Sequence, residues 1–226
     1  MLVAKIIIVF PRRLRVFVVS VFNINFFRVY RPMEFFLDVD GVILDFEAAF
    51  VDFVRDEYLP DLPVGYILQS WELGTDFSTL NIDEVWQNFV DSDQFTRLKL
   101  LIEPDSFNQL SRQHPVYLIT NLAKPQYNSR RKNLDRYQLK YKELFLAGHH
   151  NFNDDSYPTK SAVISKLHRN GERMVFLDDH PRNCQDVKSA FGNSEVFLMS
   201  RPHNKGLEDP IWTRVDNWND FLDKVL

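Results

Sequence analysis

The alternation of short apolar segments with helical segments predicts an α/β fold with a doubly wound parallel sheet. Five segments read as strands that are apolar at nearly every position, at 35–37, 116–119, 144–146, 174–177 and 196–198. Such strands are typical of a parallel sheet that is covered by helices on both faces. The chain has 226 residues, of which 45% are apolar, which allows one domain of moderate size or a core domain with an inserted subdomain.

The first helix is predicted directly after the first strand. Asp45 is a suitable N-cap, and Phe46, Phe50 and Phe53 follow at helical spacing. The pattern stops near residues 58–60. Residues 60–100 are predicted to be irregular and helical, with one helix that opens at 81–84.

In the second half of the chain, the remaining helices are predicted between the strands. They are expected at 104–113, 124–139, 161–168, after Pro181, and near 218–225. The helix after Pro181 is predicted to end at Gly192 with a glycine C-cap, since proline favours helix starts and glycine favours helix ends.

Two carboxylates follow the first predicted strand at an interval of two residues. Asp38 and Asp40 are succeeded by Gly41, the first glycine of the chain. Two like charges at this spacing repel, and each raises the pKa of the other unless a cation lies between them. The pair therefore predicts a metal ion and a carboxylate that takes part in chemistry.

The other strand ends also carry polar residues. Thr120 and Asn121 follow the strand at 116–119, and Asp178 and Asp179 follow the strand at 174–177. In open α/β sheets the ligand site lies beyond the carboxyl ends of the strands. These side chains are therefore expected to share one site with Asp38.

Four motifs in order carry a resemblance to a known family. They are residues 37–41, residues 118–121, Lys160 within 159–161, and residues 176–183. On these residues the chain resembles the haloacid dehalogenase (HAD) superfamily of phosphohydrolases. The resemblance implies a Rossmann-like core at 33–45 and 101–226 with an inserted α-helical cap at 46–100. Residues 1–32 would then be an extension or tail outside the fold.

The resemblance also implies catalytic roles. Asp38 would attack phosphorus to give an aspartyl-phosphate, and Asp40 would be the general acid and base. Thr120 would bind the phosphoryl oxygens. Lys160 would supply positive charge to the same oxygens and to Asp38.

A Mg²⁺ ion is the cofactor that the resemblance implies. Its ligands would be Asp38, the backbone carbonyl of Asp40, and Asp179, because Mg²⁺ prefers oxygen ligands. Asp178 is expected to act through water or a neighbouring group. Asn183 is expected to orient this loop.

Asp40 favours a phosphatase among the branches of the superfamily. The dehalogenases lack an aspartate there, and the transporting ATPases carry a threonine. A phosphomutase or phosphotransferase of the same superfamily remains an alternative, as does a non-catalytic binding protein. The expected partner is a small phosphorylated metabolite.

The substrate is open between a nucleoside monophosphate and a sugar or flavin phosphate. Residues 45–47 and 95–104 are similar to the 5'-deoxyribonucleotidase branch, whereas residues 180–183 are similar to general sugar-phosphate and flavin-phosphate phosphatases. Trp71, Phe77 and Trp86 could stack on a base, although packing within the cap is the simpler interpretation of each.

Charge and composition argue against other classes of function. Residues 33–226 carry 21 basic and 31 acidic residues, so a nucleic-acid partner is not expected. Arg130, Arg131, Lys132 and Lys140 are interpreted as a solvated face. His149, His150 and His180 lack the spacing of a zinc site. The single Cys184 is interpreted as a core thiol.

Residues 1–32 carry six basic residues and no acidic one. A targeting or membrane-surface arm, a disordered tail and an upstream extension of the reading frame all fit, and an extension or tail is favoured. The apolar runs at 5–10 and 16–27 are too short and interrupted to span a membrane. A cytoplasmic location without stable membrane association is expected.

Overall fold

The computed structural model describes residues 33–148, 158–169 and 171–226. The predicted tail at 1–32 and the residues His149 and His150 lie outside the described residues. Six parallel strands form one sheet in the order β3-β2-β1-β4-β5-β6. They are β1 (Met33–Leu37), β2 (Val116–Thr120), β3 (Glu143–Leu146), β4 (Arg173–Asp178), β5 (Glu195–Met199) and β6 (Thr213–Val215).

Both faces of the sheet are buried. In β1, Phe35 and Leu37 join the apolar cluster on one face, and Phe36 joins the cluster on the other. This alternation follows from the two-residue repeat of a strand. All three side chains are fully buried. The predicted fold class, a doubly wound parallel α/β sheet, is confirmed.

Eight α-helices surround the sheet within the described residues. They are α1 (Phe46–Glu57), α2 (Leu73–Asp76), α3 (Ile82–Asp91), α4 (Pro104–Gln113), α5 (Tyr127–Arg136), α6 (Lys160–Leu167), α7 (Pro181–Ala190) and α8 (Trp218–Val225). The predicted N-cap of α1 is confirmed, because Ala48 N–H donates to the Asp45 carboxylate over 3.2 Å.

Two details of the predicted elements are wrong. The α7 helix ends at Ala190 with Phe191 as its C-cap, whose N–H donates to the Val187 carbonyl, and Gly192 does not adopt a positive φ. The predicted glycine C-cap is therefore absent. The strand β6 was not predicted, because it has only three residues and two of them are polar.

The segment 46–100, predicted as a cap, packs through aromatic rings. Phe50 and Phe89 meet edge to face with centroids 5.2 Å apart, and Phe46 lies 5.8 Å from Trp86. These rings belong to the same apolar cluster as Phe35 of the sheet. The boundaries of the cap stay a prediction.

A further property concerns membranes. Among the residues that the structure describes, no helix combines the length and apolar character that crossing a membrane would require.

Candidate active site

The site begins at the carboxyl ends of β1, β2 and β4, which are neighbours at the centre of the sheet. Asp38 directly follows β1, and its backbone N–H donates to the Leu177 carbonyl over 2.9 Å. The Asp38 side chain accepts from Val39 N–H at 2.7 Å. These two bonds hold the carboxylate at the point where the strand order reverses, which is the expected ligand position in such sheets.

Gly41 brings the first loop against the last one. Its φ of +71° lies in the left-handed region that favours glycine. A Cβ atom at this position would come within 1.9 Å of Asp179 Oδ2. The glycine is therefore required for the close approach of the loop after β1 to Asp179.

Lys160 is the buried cation between two carboxylates. It is the first residue of α6, whose N-cap Thr159 accepts from Ala162 N–H at 3.2 Å. The Nζ atom lies 2.8 Å from Asp38 Oδ1 and 2.7 Å from Asp178 Oδ2. Burial acts to lower the pKa of Lys160, but the two carboxylates outweigh it and the pKa lies above its usual value. Lys160 is therefore a fixed positive charge.

The Asp178 carboxylate is occupied by protein groups. Besides Lys160, it accepts from Asn183 Nδ2 at 3.1 and 3.2 Å and from His180 N–H at 2.8 Å. Asn183 also reaches Asn121 Oδ1 at 3.3 Å. Asp178 therefore positions Lys160 and the loop, and its expected indirect role stays a prediction.

The Asp179 carboxylate differs from that of Asp178 in its hydrogen bonding. Its side chain is fully buried, and neither carboxylate oxygen has a hydrogen-bond partner among the described residues. Asp38, Asp178 and Asp179 each offer an oxygen within 4.8 Å of the others. Burial, then Asp38 and Asp178, raise the pKa of Asp179 well above its usual value. A cation bound by these oxygens would remove that penalty.

The charged form of Asp38, like that of Asp179, is destabilised by burial and by neighbouring carboxylates. Burial, then the Asp178 charge, raise the pKa of Asp38 to about 8, although Lys160 acts in the opposite direction. Ionisation of this carboxylate near neutral pH therefore needs more positive charge than Lys160 alone supplies. The oxygen donors beside it fit Mg²⁺.

The Asp40 carboxylate contacts Thr120 and Arg130. Thr120 Oγ1 donates to Asp40 Oδ2 at 3.2 Å. Arg130 Nη2 lies 2.7 Å from Oδ1 and donates to Oδ2 at 2.9 Å. The Asp40 side chain remains 20% exposed, whereas Arg130 is completely buried. Asp40 is therefore held by two residues at the edge of the cleft.

The interpretation of Arg130 as part of a solvated face is wrong. Its guanidinium lies 4.7 Å from the centroid of the Phe95 ring and pairs with Asp40. The neighbouring Arg131 is the solvated residue, with 62% of its side chain exposed. A signal did exist, since Arg130 shares helical i+3 and i+4 spacing with the buried Asn133 and Leu134.

The charges of the site leave an excess of two negative charges. Four carboxylates, Asp38, Asp40, Asp178 and Asp179, face two buried cations, Lys160 and Arg130. Buried charges need partners, because desolvation of an unpaired charge is costly. One divalent cation would neutralise the cluster, which is consistent with the predicted metal site.

A cleft of about 900 Å³ opens onto Asp38 and Asp40. Its other wall comes largely from the segment 46–100. That wall is mixed apolar and acidic: Phe46, Glu47, Leu68, Trp71, Glu72, Leu73, Ile82, Asp83 and Trp86. The volume lies within the range of pockets that bind small molecules.

The three aromatic residues considered for base stacking differ in position. Phe77 is buried against Phe50 and Tyr66, so packing explains it. Trp71 stacks on His203 with centroids 4.2 Å apart and an interplanar angle of 14°. Trp86 is half-buried and lines the cleft. Trp86 is therefore the aromatic side chain best placed to meet a ligand.

Cys184 is a buried core thiol, as predicted. Its Sγ lies 3.6 Å from the Phe197 carbonyl, and burial raises its pKa well above the usual value.

The chain is similar to known proteins in structure but not in sequence. No protein-family model matches the chain, and no curated protein matches it significantly. A structure from Clostridium difficile that is described as a phosphatase has a TM-score of 0.57 and 12% identity, covering 87% of this chain and 99% of that one.

Two further structures with the same fold are described with different functions. YfnB from Bacillus subtilis, described as a HAD hydrolase bound to magnesium, has a TM-score of 0.55 and 15% identity and covers 86% of this chain and 98% of that one. The L-2-haloacid dehalogenase PA0810 has a TM-score of 0.55 and 11% identity, covering 86% and 100%. The chain therefore has the fold of HAD-like hydrolases. Its reaction must be argued from its own residues.

Proposed function

We propose that this protein is a Mg²⁺-dependent phosphatase that hydrolyses a small phosphomonoester through an aspartyl-phosphate on Asp38. One observation carries the proposal. Asp38 lies at the base of an open cleft, beside the fixed cation Lys160, in a carboxylate cluster whose two excess negative charges call for a divalent cation.

The first half-reaction transfers the phosphoryl group to the protein. Asp38 forms a bond to phosphorus while the bond from phosphorus to the substrate oxygen breaks. Asp40 gives its proton to the departing alkoxide, and Thr120 and Arg130 hold the Asp40 carboxyl group for that transfer. Lys160 stabilises negative charge on Asp38 and on the phosphoryl oxygens.

The second half-reaction releases phosphate. Asp40 removes a proton from water, which attacks phosphorus, and the bond between Asp38 and phosphorus breaks to give inorganic phosphate. A bound Mg²⁺, held by Asp38, the Asp40 carbonyl and Asp179, would neutralise charge on the transferred group. Both half-reactions use the same two aspartates.

The cleft supports a nucleoside monophosphate as the first substrate class to test. Trp86 and the apolar residues Leu73 and Ile82 offer a surface for a planar base. The acidic residues Glu72 and Asp83 on the same wall disfavour a second phosphate group. A 5'-nucleotidase activity is therefore favoured over hydrolysis of bisphosphates.

The test is turnover of an aryl phosphate and of a panel of nucleoside, sugar and flavin monophosphates, with and without Mg²⁺. Activity should require Mg²⁺ and disappear in Asp38→Asn. Reduction with borohydride during turnover should convert the aspartyl-phosphate at Asp38 to homoserine, which mass spectrometry detects. Absence of turnover in the wild type, or turnover unaffected by Asp38→Asn, would defeat the proposal.

A further inference from the structure

The turn that follows β5 contacts the loops that carry the candidate active site, although none of its residues belongs to the four motifs. It consists of the 3₁₀ helix Pro202–Asn204 with Arg201 as its N-cap. Asn204 is fully buried. A buried amide needs hydrogen-bond partners, and those of Asn204 lie in three different parts of the fold.

The Asn204 side chain makes four hydrogen bonds. Its Nδ2 donates to the Asp179 carbonyl at 2.7 Å and to the Met199 carbonyl at 2.8 Å. Its Oδ1 accepts from Arg201 N–H at 3.1 Å and from Arg214 Nη1 at 2.9 Å. An asparagine side chain has two donor and two acceptor positions, so this amide is fully satisfied. It is therefore a fixed connection between Asp179 and the ends of β5 and β6.

Asp179 depends on such a connection. It is the first residue after β4, and the pairing of β4 with β5 ends at Asp178 and Leu198. Neither oxygen of its carboxylate has a hydrogen-bond partner among the described residues. His203 Nε2, at 3.6 Å from Oδ2, is too far for a hydrogen bond. The position of this carboxylate therefore depends on its backbone, which Asn204 holds.

Arg201 holds the loop on the other side of the Asp179 carboxylate. Its Nε donates to the Gly41 carbonyl at 2.5 Å, and its Nη1 donates to the Ser200 carbonyl at 2.8 Å. Gly41 is the residue whose backbone closely approaches Asp179 Oδ2. It also follows Asp40, whose carbonyl is a proposed ligand of the cation. The turn after β5 thus fixes the backbone on both sides of this approach.

His203 connects the same turn to the segment 46–100. Its Nδ1 lies 2.5 Å from Glu47 Oε1 of α1, and Trp71 stacks on its ring with centroids 4.2 Å apart. Glu47 and Trp71 both line the cleft. The turn is therefore held by the wall of the cleft as well as by the sheet.

We propose that Asn204 is a positioning residue of the divalent cation site, which holds Asp179 in place through the Asp179 backbone, with Arg201 as a second support. The inference rests on the proposed metal site at Asp38 and Asp179. A group that orients a metal ligand raises the affinity for the ion, because the ligand is then in position before the ion binds. Asn204 would thus act on cation binding and not on the substrate.

The direct test is the affinity of the full chain for Mg²⁺, measured by calorimetry without substrate. In Asn204→Ala the Asp179 carbonyl loses its donor, and the dissociation constant should rise about 10- to 100-fold. Ser194→Ala is the matched control. Ser194 is an uncharged, buried residue at the opposite end of β5, and its Oγ donates to the Phe191 carbonyl at 2.6 Å. This variant should lose stability in thermal unfolding but keep the Mg²⁺ affinity of the wild type.

Arg201→Lys is the second variant, and it decides the question if Asn204→Ala does not fold. Lysine keeps the positive charge that acts on Asp179. Its single ammonium group cannot reproduce the two bonds of the planar guanidinium to Gly41 and Ser200. The dissociation constant for Mg²⁺ should therefore rise, by a smaller factor than in Asn204→Ala.

The outcomes separate this inference from the proposed function. A folded Asn204→Ala protein that binds Mg²⁺ as tightly as the wild type would overturn the inference even if phosphatase activity is present, and so would unchanged affinity in Arg201→Lys where Asn204→Ala does not fold. Absence of Mg²⁺ binding by the wild type would overturn it as well. Mg²⁺ binding that weakens in Asn204→Ala and not in Ser194→Ala, in a protein that hydrolyses no phosphomonoester, would support the inference and defeat the proposed function.

Discussion

The candidate active site has two sides, each built around one buried cation, and the two cations are held differently. On one side Lys160 contacts the two buried carboxylates Asp38 and Asp178. On the other side Arg130 pairs with one carboxylate, that of Asp40, which is partly exposed. Arg130 Nε and Nη1 have no hydrogen-bond partner among the described residues. Both sides border the cleft, but the carboxylates of the Lys160 side are the more deeply buried.

The two cations should therefore differ in how much their removal costs. Removal of Lys160 leaves one carboxylate that is 7% exposed and one that is fully buried, while removal of Arg130 leaves one carboxylate that is 20% exposed. Since the cost of an unpaired charge depends on its burial, the Lys160 side should be the more sensitive of the two.

The largest effect is expected for Lys160→Met. The free energy of unfolding of the metal-free protein should fall by about 3–5 kcal/mol, because a buried ion pair loses one partner. Activity should fall at least about 1000-fold, because phosphoryl transfer then lacks its fixed cation. Urea unfolding and steady-state kinetics measure the two effects.

A surface lysine provides the control for this prediction. Lys224 pairs with Asp220 on the exposed face of α8, and Lys224→Met should cost less than about 1 kcal/mol. Equal losses in the two variants would remove the distinction between a buried network and a surface pair.

Arg130→Met is expected to have an intermediate effect. Stability should fall by about 1.5–3 kcal/mol, the usual range for a hydrogen bond to a charged group. The rate constant kcat should fall about 10- to 100-fold, because Asp40 keeps its carboxyl group but loses its fixed position. Arg130→Lys should recover part of both losses.

The exposed neighbour Arg131 is the matched control, and Arg131→Met should change stability by less than about 0.5 kcal/mol. In a double-mutant cycle, Asp40→Asn should cost less in the Arg130→Met background than in the wild type. Additive losses would show that the pair is not energetically coupled.

Arg130 also shows what could not be predicted from the sequence, namely its ion-pair partner. The strands and Asp38, Thr120 and Asp179 could be located because apolar periodicity and strand ends are local patterns, whereas Lys160 was indicated only by the order of the four motifs. The partner of Arg130 is 90 residues away in the chain. A basic residue within a charged helix gives no local sign of such a partner.

His203 illustrates the same limit. It lies in a short polar segment after β5 with no motif around it, and only the fold brings it to Glu47, 156 residues earlier. Short elements such as β6 could not be predicted either, because they are too short to show a repeating pattern. Local periodicity thus predicts the sheet and the residues at its strand ends, whereas pairing between distant loops requires the fold.

The pH dependence of stability should sharpen the comparison further. Burial and then Asp178 raise the pKa of Asp38 from 3.8 to about 8, and the pKa of Asp179 is raised as well. The folded metal-free protein therefore keeps protons that the unfolded chain releases, and its stability should decrease as the pH rises from about 4 through 8.

Mg²⁺ should oppose this loss, because a bound cation replaces those protons. The rise in Tm on adding Mg²⁺ should be larger at pH 8.5 than at pH 5.5, by about 2–4 °C for each kcal/mol of added stabilisation. Asp38→Asn should weaken the pH dependence, since it removes one of the titrating groups. An equal rise at both pH values would contradict the assignment of the buried carboxylates to the cation.

The smallest effect is expected on the opposite wall of the cleft, at Trp86. It lines the cleft but is also packed against Phe46, so Trp86→Phe is preferred to a truncation that opens a cavity. If a base stacks on the indole, KM for a nucleoside monophosphate should rise about 3- to 10-fold while kcat changes little, because only binding common to ground and transition state is lost. A sugar phosphate, which has no planar ring, is the control substrate and should keep its KM. Equal increases in KM for both substrates would mean that Trp86 shapes the wall by packing alone, and the choice of substrate would then depend on other residues of the segment 46–100.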